Sequence, residues 1–289
     1  MNVNNATKRT QHTPYFFDCN FLKKAGNIAD IIITEAYATL KYTLPASLKW
    51  VWRKYITQEI KTISIQVTVE KVTKFVYLNI HGNLSKIKEN DASPSVLLSH
   101  GDHGHPYVLL HLADIAQKKG KPTFSLYIPG VANNKLLDIH NDLLGLAIDK
   151  IEKIVGNHKK KFAGIVGVGH SKGAILLAHR QFVKIDSRIK ATCSIAGRLN
   201  APKEKDCPDQ TLKNIVRTIY KGISENPQKP IMQIVPKNDW NASYKSMAIR
   251  PQNHCHTVPG MHLSAIYTRE TESHFVDFLD EFASKSILF

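Results

Sequence analysis

The sequence predicts an α/β fold with a mostly parallel central sheet and helices on both of its faces. Two runs of alternating β-branched residues come first, and from about residue 95 short apolar strands alternate strictly with amphipathic helices. Parallel strands need a crossover between them, usually a helix, and strands covered on both faces are apolar throughout. A chain of 289 residues, 43% of them hydrophobic, can bury such a core.

The first 60 residues form an extension that this sheet does not require. Residues 1–15 are polar, which predicts disorder, and from 20 to 42 apolar residues recur at roughly helical spacing, which predicts an accessory helix. Residues 48–55 mix aromatic and basic side chains. Such a segment suits a membrane interface, but we favour a helix or loop that packs its tryptophans on the core. The chain is therefore divided into an N-terminal extension, 1–60, and a main domain, 61–289.

The strands of the main domain are predicted from apolar and β-branched runs bounded by turn residues. We place them at 63–69, 75–80, 95–99, 123–128, 163–168, 191–196, 231–235 and 255–258. Helices are predicted between them from apolar residues three and four positions apart. The first begins near Pro106, a favoured first helical residue, and ends near Lys119, just before Gly120. The others include residues 144–155, 174–178, 210–223 and 275–282.

The most informative motif lies where the fifth predicted strand meets the helix after it. Residues 169–173 read Gly-His-Ser-Lys-Gly, and Gly-x-Ser-x-Gly at a strand-to-helix turn holds a nucleophilic serine exposed on a strained backbone. The glycines are needed because side chains in so tight a turn would collide with the strand and the helix. The five-residue pattern is weak alone, but the buried strand before it and the apolar helix after it strengthen it.

Two downstream residues are placed to assist Ser171. A serine hydroxyl needs a histidine to take its proton and usually a carboxylate to hold that histidine's tautomer. Asp239 follows the strand at 231–235 and His262 follows the last strand, so both are expected at the carboxyl edge of the sheet. Each alone would be an ordinary loop residue, but their order after the serine fits a catalytic arrangement. Ser171, Asp239 and His262 are therefore the predicted catalytic residues.

The loop after the third strand is predicted to help form an oxyanion hole, because acyl transfer requires preorganised donors for the developing charge. One predicted donor is the backbone N–H of Lys172, the residue after the nucleophile. The second is assigned to the N–H of Asp102, with Gly101 as the neighbouring candidate. This loop supports the serine hypothesis independently, since nothing in the elbow motif requires it.

Histidines are concentrated in this same loop. His100 and His103, with His170 of the elbow, are predicted to line the mouth of the site. A rival interpretation is a metal site built from the loop histidines and Asp102, because zinc takes three or four such ligands. The spacing matches no familiar ligand geometry, so we predict no metal.

The net charge of +15 favours association with anionic surfaces such as phospholipid or nucleic acid. The lysines are spread over loops and the ends of predicted elements, and no nucleic-acid-binding signature accompanies them. We therefore expect no specific nucleic-acid partner and retain an anionic membrane surface as an alternative to a merely solvated basic surface.

Location is inferred from three further features of the sequence. No apolar run approaches the roughly 18 residues that span a membrane, and the N-terminus lacks the apolar core of a secretory signal. The four cysteines show no paired spacing, which favours free thiols in a reducing compartment. A cytoplasmic protein is expected, with peripheral membrane association and export without a cleaved signal as alternatives.

From about residue 63 to 289, the chain resembles the α/β-hydrolase superfamily. The resemblance rests on His-Gly-Asp at 100–102, the Gly-His-Ser-Lys-Gly elbow, Asp239 and Pro-Gly-Met-His at 259–262. The Gly-His-Ser-x-Gly form is similar to that of small esterases, lipases and chlorophyllase- or dienelactone-hydrolase-like members. The resemblance implies hydrolysis of an ester, thioester or amide through an acyl-enzyme, without a metal or an organic cofactor.

The chain departs from many relatives in two ways. Only about 34 residues, 197–230, separate two strands between which relatives often insert a helical lid, and they hold one predicted amphipathic helix. Any lid must therefore be small, so the site is open or capped by the N-terminal extension. That extension is itself the second departure, and a cap, a membrane contact and a partner surface are the roles we consider for it.

The predicted function is hydrolysis of a carboxylic ester or thioester by a serine nucleophile, with a small acyl or lipid-like substrate. An acyltransferase or an amidase would use the same three residues. A protein that keeps the fold as a binding scaffold without catalysis is the alternative from another class, because fold alone does not dictate function.

Overall fold

The computed structural model describes residues 36–37, 39–69, 72–84, 93–102, 104–130, 133–157, 162–199, 209–239 and 254–283. The strands are β1 (Ile60–Val69), β2 (Val72–His81), β3 (Ser95–Ser99), β4 (Thr123–Tyr127), β5 (Ile165–His170), β6 (Ile189–Ile195), β7 (Ile231–Pro236) and β8 (Cys255–Val258). They form one sheet in the order β1-β2-β4-β3-β5-β6-β7-β8. β2 pairs antiparallel with both of its neighbours, and the pairs from β4 to β8 are parallel, which confirms the mostly parallel sheet.

The helices are α1 (Leu44–Val51), α2 (Leu110–Lys118), α3 (Leu137–Gly156), α4 (Lys172–Phe182), α5 (Gln210–Glu225) and α6 (Arg269–Phe282). π-helical turns at Thr39–Thr43 and Trp52–Ile56 flank α1. Short 3₁₀ helices lie at Pro106–Leu109, Asn134–Leu136 and Ser264–Tyr267. The helix predicted from Pro106 onward thus begins with a 3₁₀ turn before α2. Within the described part of the chain, no helix is both long enough and apolar enough to cross a membrane.

Both faces of the sheet are buried, as the apolar strands predict. On β3, Val96 and Leu98 point to the face covered by α2 and α6, and Leu97 points to the face covered by α3 and α4. Helices on both faces therefore exclude water from the centre of the sheet. A site is then expected at the carboxyl ends of the strands, where the loops carry polar residues.

Helix α5 belongs to the core rather than to a lid. Its residues Ile219 and Ile223 pack with Ile175 and Phe182 of α4. A β-carbon at Gly222 would lie 2.5 Å from the carbonyl oxygen of Phe182, so only glycine permits this close approach. The helix predicted between β6 and β7 is thus used for packing on α4, the helix that follows Ser171, in keeping with a minimal lid.

Strand β1 begins three residues earlier than the alternating pattern predicts. Ile60 is buried in a cluster with Trp50 and Leu110, whereas Ile63 and Ile65 pack on the opposite face of the sheet. A period-two pattern read from Ile63 cannot include Ile60, because residues an odd number apart point to opposite faces.

The end of the N-terminal extension is anchored to α2. Arg53 is buried and forms ion pairs with Glu59 and Asp114, and its Nη2 donates to Oε1 of Gln117 at 3.0 Å. These partners fix the orientation of α1 on the main domain. The predicted accessory helix at 20–42 and the polar residues 1–15 lie outside the described residues, apart from 36–37 and 39–42.

The expectation that both tryptophans of this segment pack on the core is correct for one of them. Trp50 is 4% exposed, whereas Trp52 is 58% exposed. Residues two positions apart on a helix are separated by about 200°, so they cannot share one face.

A buried carboxylate joins the end of α4 to the start of β6. Asp186 accepts hydrogen bonds from Nε of Arg180 at 2.9 Å and from Nη2 of Arg188 at 2.8 Å. Burial alone would raise the pKa of Asp186, but the hydrogen bonds from Arg188 and Arg180 outweigh it and lower the pKa to about 2. The ionised carboxylate is therefore stabilised in the folded protein.

Replacing Asp186 by Asn should lower the free energy of unfolding at pH 7 by about 2 kcal/mol, because each pKa unit corresponds to about 1.4 kcal/mol. The folded pKa lies below the unfolded value, so this stabilisation is present above about pH 4 and is lost as the pH falls towards 2. Urea denaturation of wild type and D186N at pH 7, 4 and 3 measures the difference.

The matched control is D138N, since Asp138 pairs with Lys184 at 3.1 Å but its side chain is 80% exposed. We expect D138N to change the stability by less than about 0.5 kcal/mol. A D186N difference that stays constant from pH 7 to pH 3 would contradict the assigned role of the carboxylate.

Candidate active site

Ser171 occupies a strained turn between β5 and α4. Its backbone has φ 54° and ψ −118°, a positive φ that L-residues rarely adopt. Its N–H donates to the carbonyl of Ile195 at 2.9 Å, which ties the turn to the end of β6. Strain of this kind persists only where the surroundings impose it, and it is concentrated at functional sites.

Two close backbone approaches impose the turn. A β-carbon at Gly169 would lie 2.4 Å from the backbone nitrogen of Ala174, and one at Gly173 would lie 2.2 Å from the carbonyl oxygen of Ser99. Both contacts are with backbone, so a side chain could not be accommodated by a change of rotamer. The steric reason inferred from the sequence for the two glycines therefore agrees with the geometry.

The loop after β3 lies directly against the serine. A β-carbon at Gly101 would be 2.6 Å from the β-carbon of Ser171. The N–H of Gly104 donates to the carbonyl of Gly101 at 3.2 Å, so the loop turns tightly around Asp102, whose side chain is exposed. The structure thus brings the proposed oxyanion loop and the proposed nucleophile together.

Lys172 is the first residue of α4. The N–H groups of a helix's first turn point beyond the helix and carry its positive dipole end. The N–H of Lys172 therefore belongs to a group of donors suited to an anion beside Ser171.

Asp239 and His262 form a close pair. Nδ1 of His262 donates to Oδ2 of Asp239 at 2.7 Å, and the carboxylate is completely buried while the imidazole is 15% exposed. With the proton on Nδ1, Nε2 is the ring nitrogen that can accept a proton. This is the tautomer that a general base for a serine hydroxyl requires.

Adjacent strands bring these two residues together. β7 and β8 pair in parallel, and the turns that follow them run side by side, with Lys237 N–H donating to the carbonyl of Val258 at 3.0 Å and Asn238 N–H to that of Gly260 at 3.3 Å. Gly260 has φ 97°, a conformation that favours glycine. Residues 23 positions apart in sequence therefore meet at the sheet's carboxyl edge.

His170 is an interior link rather than a residue at the mouth of the site. It is 6% exposed, and its Nε2 donates to the backbone carbonyl of His262 at 2.9 Å. Burial, reinforced by the nearby His262, lowers the pKa of His170 to about 3, so the ring is neutral at pH 7. The elbow and the loop that carries His262 are thereby joined by a direct hydrogen bond.

His100 is also buried. Its Nδ1 donates to the carbonyl of Gly101 at 2.7 Å, and burial lowers its pKa to about 4. Its ring lies 5.2 Å from that of Tyr127, which in turn lies 5.1 Å from that of His105. Tyr127 was not predicted as a site residue, although its place at the carboxyl end of β4 is a usable signal. His103 lies outside the described residues.

The other described histidines near this site, His105 of the loop and His111 of α2, also contact the protein backbone. Nδ1 of His105 accepts from the N–H of Tyr107 at 3.4 Å, and Nε2 of His111 donates to the carbonyl of Ile266 at 2.9 Å. Over the described ranges, no group of three or more His, Cys, Asp or Glu side chains is arranged to hold a metal ion.

The fold is similar to that of several solved structures, although no match was found by sequence. No family model matches the chain, and no curated protein matches it in sequence. A cold-adapted esterase from an Arctic intertidal metagenomic library is 17% identical with a TM-score of 0.52, covering 78% of this chain and 95% of its own. A carboxylesterase of the thaumarchaeon Nitrososphaera gargenis is 13% identical with a TM-score of 0.53, covering 75% and 98%.

A third similar structure is the S-formylglutathione hydrolase of Staphylococcus aureus. It is 14% identical with a TM-score of 0.51, covering 78% of this chain and 96% of its own. Identities this low establish the fold rather than the substrate. The sheet order, the strained Ser171 turn and these likenesses agree: the chain has the α/β-hydrolase fold.

Proposed function

We propose that the protein is a serine hydrolase that cleaves a carboxylic ester or thioester through an acyl-enzyme intermediate. The observation that carries this proposal is the buried Asp239–His262 pair, which holds the imidazole in the tautomer of a general base. It lies in the fold whose strained elbow presents Ser171. An α/β sheet that served only as a binding scaffold would have no need of this combination.

In the proposed reaction, Nε2 of His262 takes the proton from Ser171 while Oγ attacks the carbonyl carbon. Asp239 holds Nδ1–H and stabilises the imidazolium as it forms. The imidazolium then gives its proton to the departing alcohol or thiol, and the acyl group stays on Oγ. Water repeats the same sequence and releases the acid.

The tetrahedral intermediate requires donors at its oxyanion. We assign the N–H of Lys172, at the start of α4, and the N–H of Asp102, with that of Gly101 as the neighbouring candidate. The close approach of Gly101 to Ser171 supports this assignment, because a β-carbon at Gly101 would lie only 2.6 Å from that of Ser171 and the loop backbone therefore lies beside the serine.

The substrate is proposed to be a small acyl or lipid-like ester. Two of the similar structures are named as esterases, and the name of the third denotes a thioester substrate. Helix α5 packs on α4 through Ile219 and Ile223, so a bulky lid is not built from it. A site that α5 does not cover would admit substrates from that side.

Replacing Ser171 by Ala should abolish covalent labelling by a fluorophosphonate probe and lower turnover of a p-nitrophenyl ester by on the order of a thousandfold or more, because the nucleophile is lost. Gel fluorescence and the release of p-nitrophenol measure the two effects. The control is S224A, since Ser224 is exposed on α5. Equal labelling of S171A and S224A would overturn the proposal.

Replacing Asp239 by Asn should lower kcat by about 10⁴-fold, because an amide at this position favours the wrong tautomer of His262. The variant should still fold, since the amide keeps the shape of the carboxylate. D280N is the control, because Asp280 pairs with Lys119 at 2.5 Å on the exposed surface. A kcat of D239N within about threefold of wild type would exclude Asp239 as the acid.

Replacing Gly101 by Ala should lower kcat by about tenfold or more, because its β-carbon would lie 2.6 Å from that of Ser171 and would displace the proposed oxyanion loop. Probe labelling should slow in parallel. G156A is the control, since a β-carbon there meets no atom within 4 Å. Unchanged turnover in G101A, at a melting temperature equal to wild type, would remove this loop from the mechanism.

A further inference from the structure

The segment from Thr39 to Ile56, which comprises α1 and its two flanking π-helical turns, carries an outward-facing apolar stripe. Its members recur every four residues, so they lie along one side of the helical path. They are Leu40, Leu44, Leu48, Trp52 and Ile56, each half exposed or more. Most of the large apolar side chains that are exposed in the described part of the chain belong to this segment or adjoin it.

The polarity of this amphipathic segment is the reverse of that of an ordinary surface helix, which buries its apolar face. Here the inward face carries the buried Arg53 together with Trp50, which packs on Ile60 and Leu110. The ion pairs of Arg53 with Asp114 and Glu59 hold that face against the domain. Because these contacts fix the inward face on the domain, the apolar stripe faces the solvent. Contiguous exposed apolar surface of this kind marks a site of interaction.

The charge of the segment indicates the kind of partner. From residue 37 to 58 the sequence contains no acidic residue and four basic ones. Lys49 and Arg53 pair with Asp114 of the domain, which leaves Lys41 and Lys54 to meet a partner. Lys41 lies 5.0 Å from the ring centre of Tyr37 and Lys54 lies 5.4 Å from that of Tyr55. Aromatic, aliphatic and lysine side chains along one helical path are typical of segments that lie in the interface of an anionic bilayer.

We propose that the amphipathic segment docks the protein on an anionic phospholipid surface. The apolar stripe enters the boundary between headgroups and acyl chains, and Lys41 and Lys54 meet the anionic headgroups. A second copy of this chain is a poorer occupant, because two such segments would bring the same positive charges together. The chain's net charge of +15 adds long-range attraction to the same surface.

One end of the segment adjoins the candidate active site. Tyr42 stacks on Tyr267 with ring centres 4.9 Å apart, and the hydroxyl oxygens of Thr43 and Tyr267 are 3.4 Å apart. Tyr267 ends the short helix that follows His262. Docking itself is independent of the proposed hydrolysis. Only its consequence, that esters in the bilayer lie near the site, rests on that function.

The test is co-sedimentation of the full chain with vesicles of phosphatidylcholine, alone or with about one third phosphatidylglycerol. We expect binding to the mixed vesicles that weakens as salt rises, and little binding to phosphatidylcholine alone. L48S/W52S should lower the partition coefficient by about tenfold or more, because it removes the centre of the stripe. F75S/Y220S is the control, since Phe75 and Tyr220 are the large exposed apolar residues of β2 and α5.

A second pair of variants separates this segment from the general basic charge. K41Q/K54Q should lower binding to the mixed vesicles by about tenfold, whereas K118Q/K150Q, which removes two exposed lysines from α2 and α3, should lower it much less. Equal losses in the two pairs would show that docking is not localised to the segment and would overturn the proposal.

Two other outcomes would overturn it. One is the absence of binding to the mixed vesicles at low salt. The other is a wild-type dimer in light scattering that L48S/W52S converts to a monomer, which would make the stripe an interface between copies. Turnover of a soluble ester by L48S/W52S should equal that of wild type. Failure of the docking proposal and failure of the hydrolase proposal are therefore seen in different measurements.

Discussion

The close crossing of the end of β3 and the start of α4 is the constraint on which the site depends. The position of a β-carbon at Gly173 is only 2.2 Å from the carbonyl oxygen of Ser99, so the helix begins in contact with the neighbouring strand. The chain enters α4 from β5 through the positive φ of Ser171. The same crossing carries the loop after β3 past the serine, where Gly101 touches it. One steric requirement thus shapes the turn at Ser171 and its neighbouring loop together.

The proposed acid and base are held by a second, separate arrangement on the far side of β6. Parallel pairing of β7 with β8 sets the two loops side by side, and the bond between Asp239 and His262 joins them. His170 connects the Asp239–His262 pair to the elbow, because its ring donates to the backbone carbonyl of His262. The imidazole is consequently positioned from two directions, through its own Nδ1 and through its backbone. A neutral His170 suits this role, since burial keeps its pKa far below 7.

The order of the elements and the pairing of Asp239 with His262 could be predicted because each depends on local pattern and chain order. Apolar periodicity identifies the strands, and strand ends identify loops that meet at one edge. Contacts between distant segments leave no such pattern. The hydrogen bond from His170 to the carbonyl of His262 joins residues 92 positions apart, and nothing in the sequence around either residue predicts it. The burial of Ile60 likewise depends on Trp50, which reaches it from outside the sheet.

The attachment of α1 explains why its apolar side faces outward. A helix held by apolar contacts alone would turn its leucines to the core, since that burial is favourable. Arg53 instead needs the carboxylates of Asp114 and Glu59, and an unpaired buried guanidinium would be strongly destabilising. Arg53 lies in the π-helical turn that continues α1, so its ion pairs select one rotation of the whole segment, and that rotation leaves Leu44 and Leu48 exposed. The ion pairs of Arg53 add little net stability, because the desolvation of the charges offsets much of their attraction. Their effect is to fix the direction in which the apolar stripe is presented.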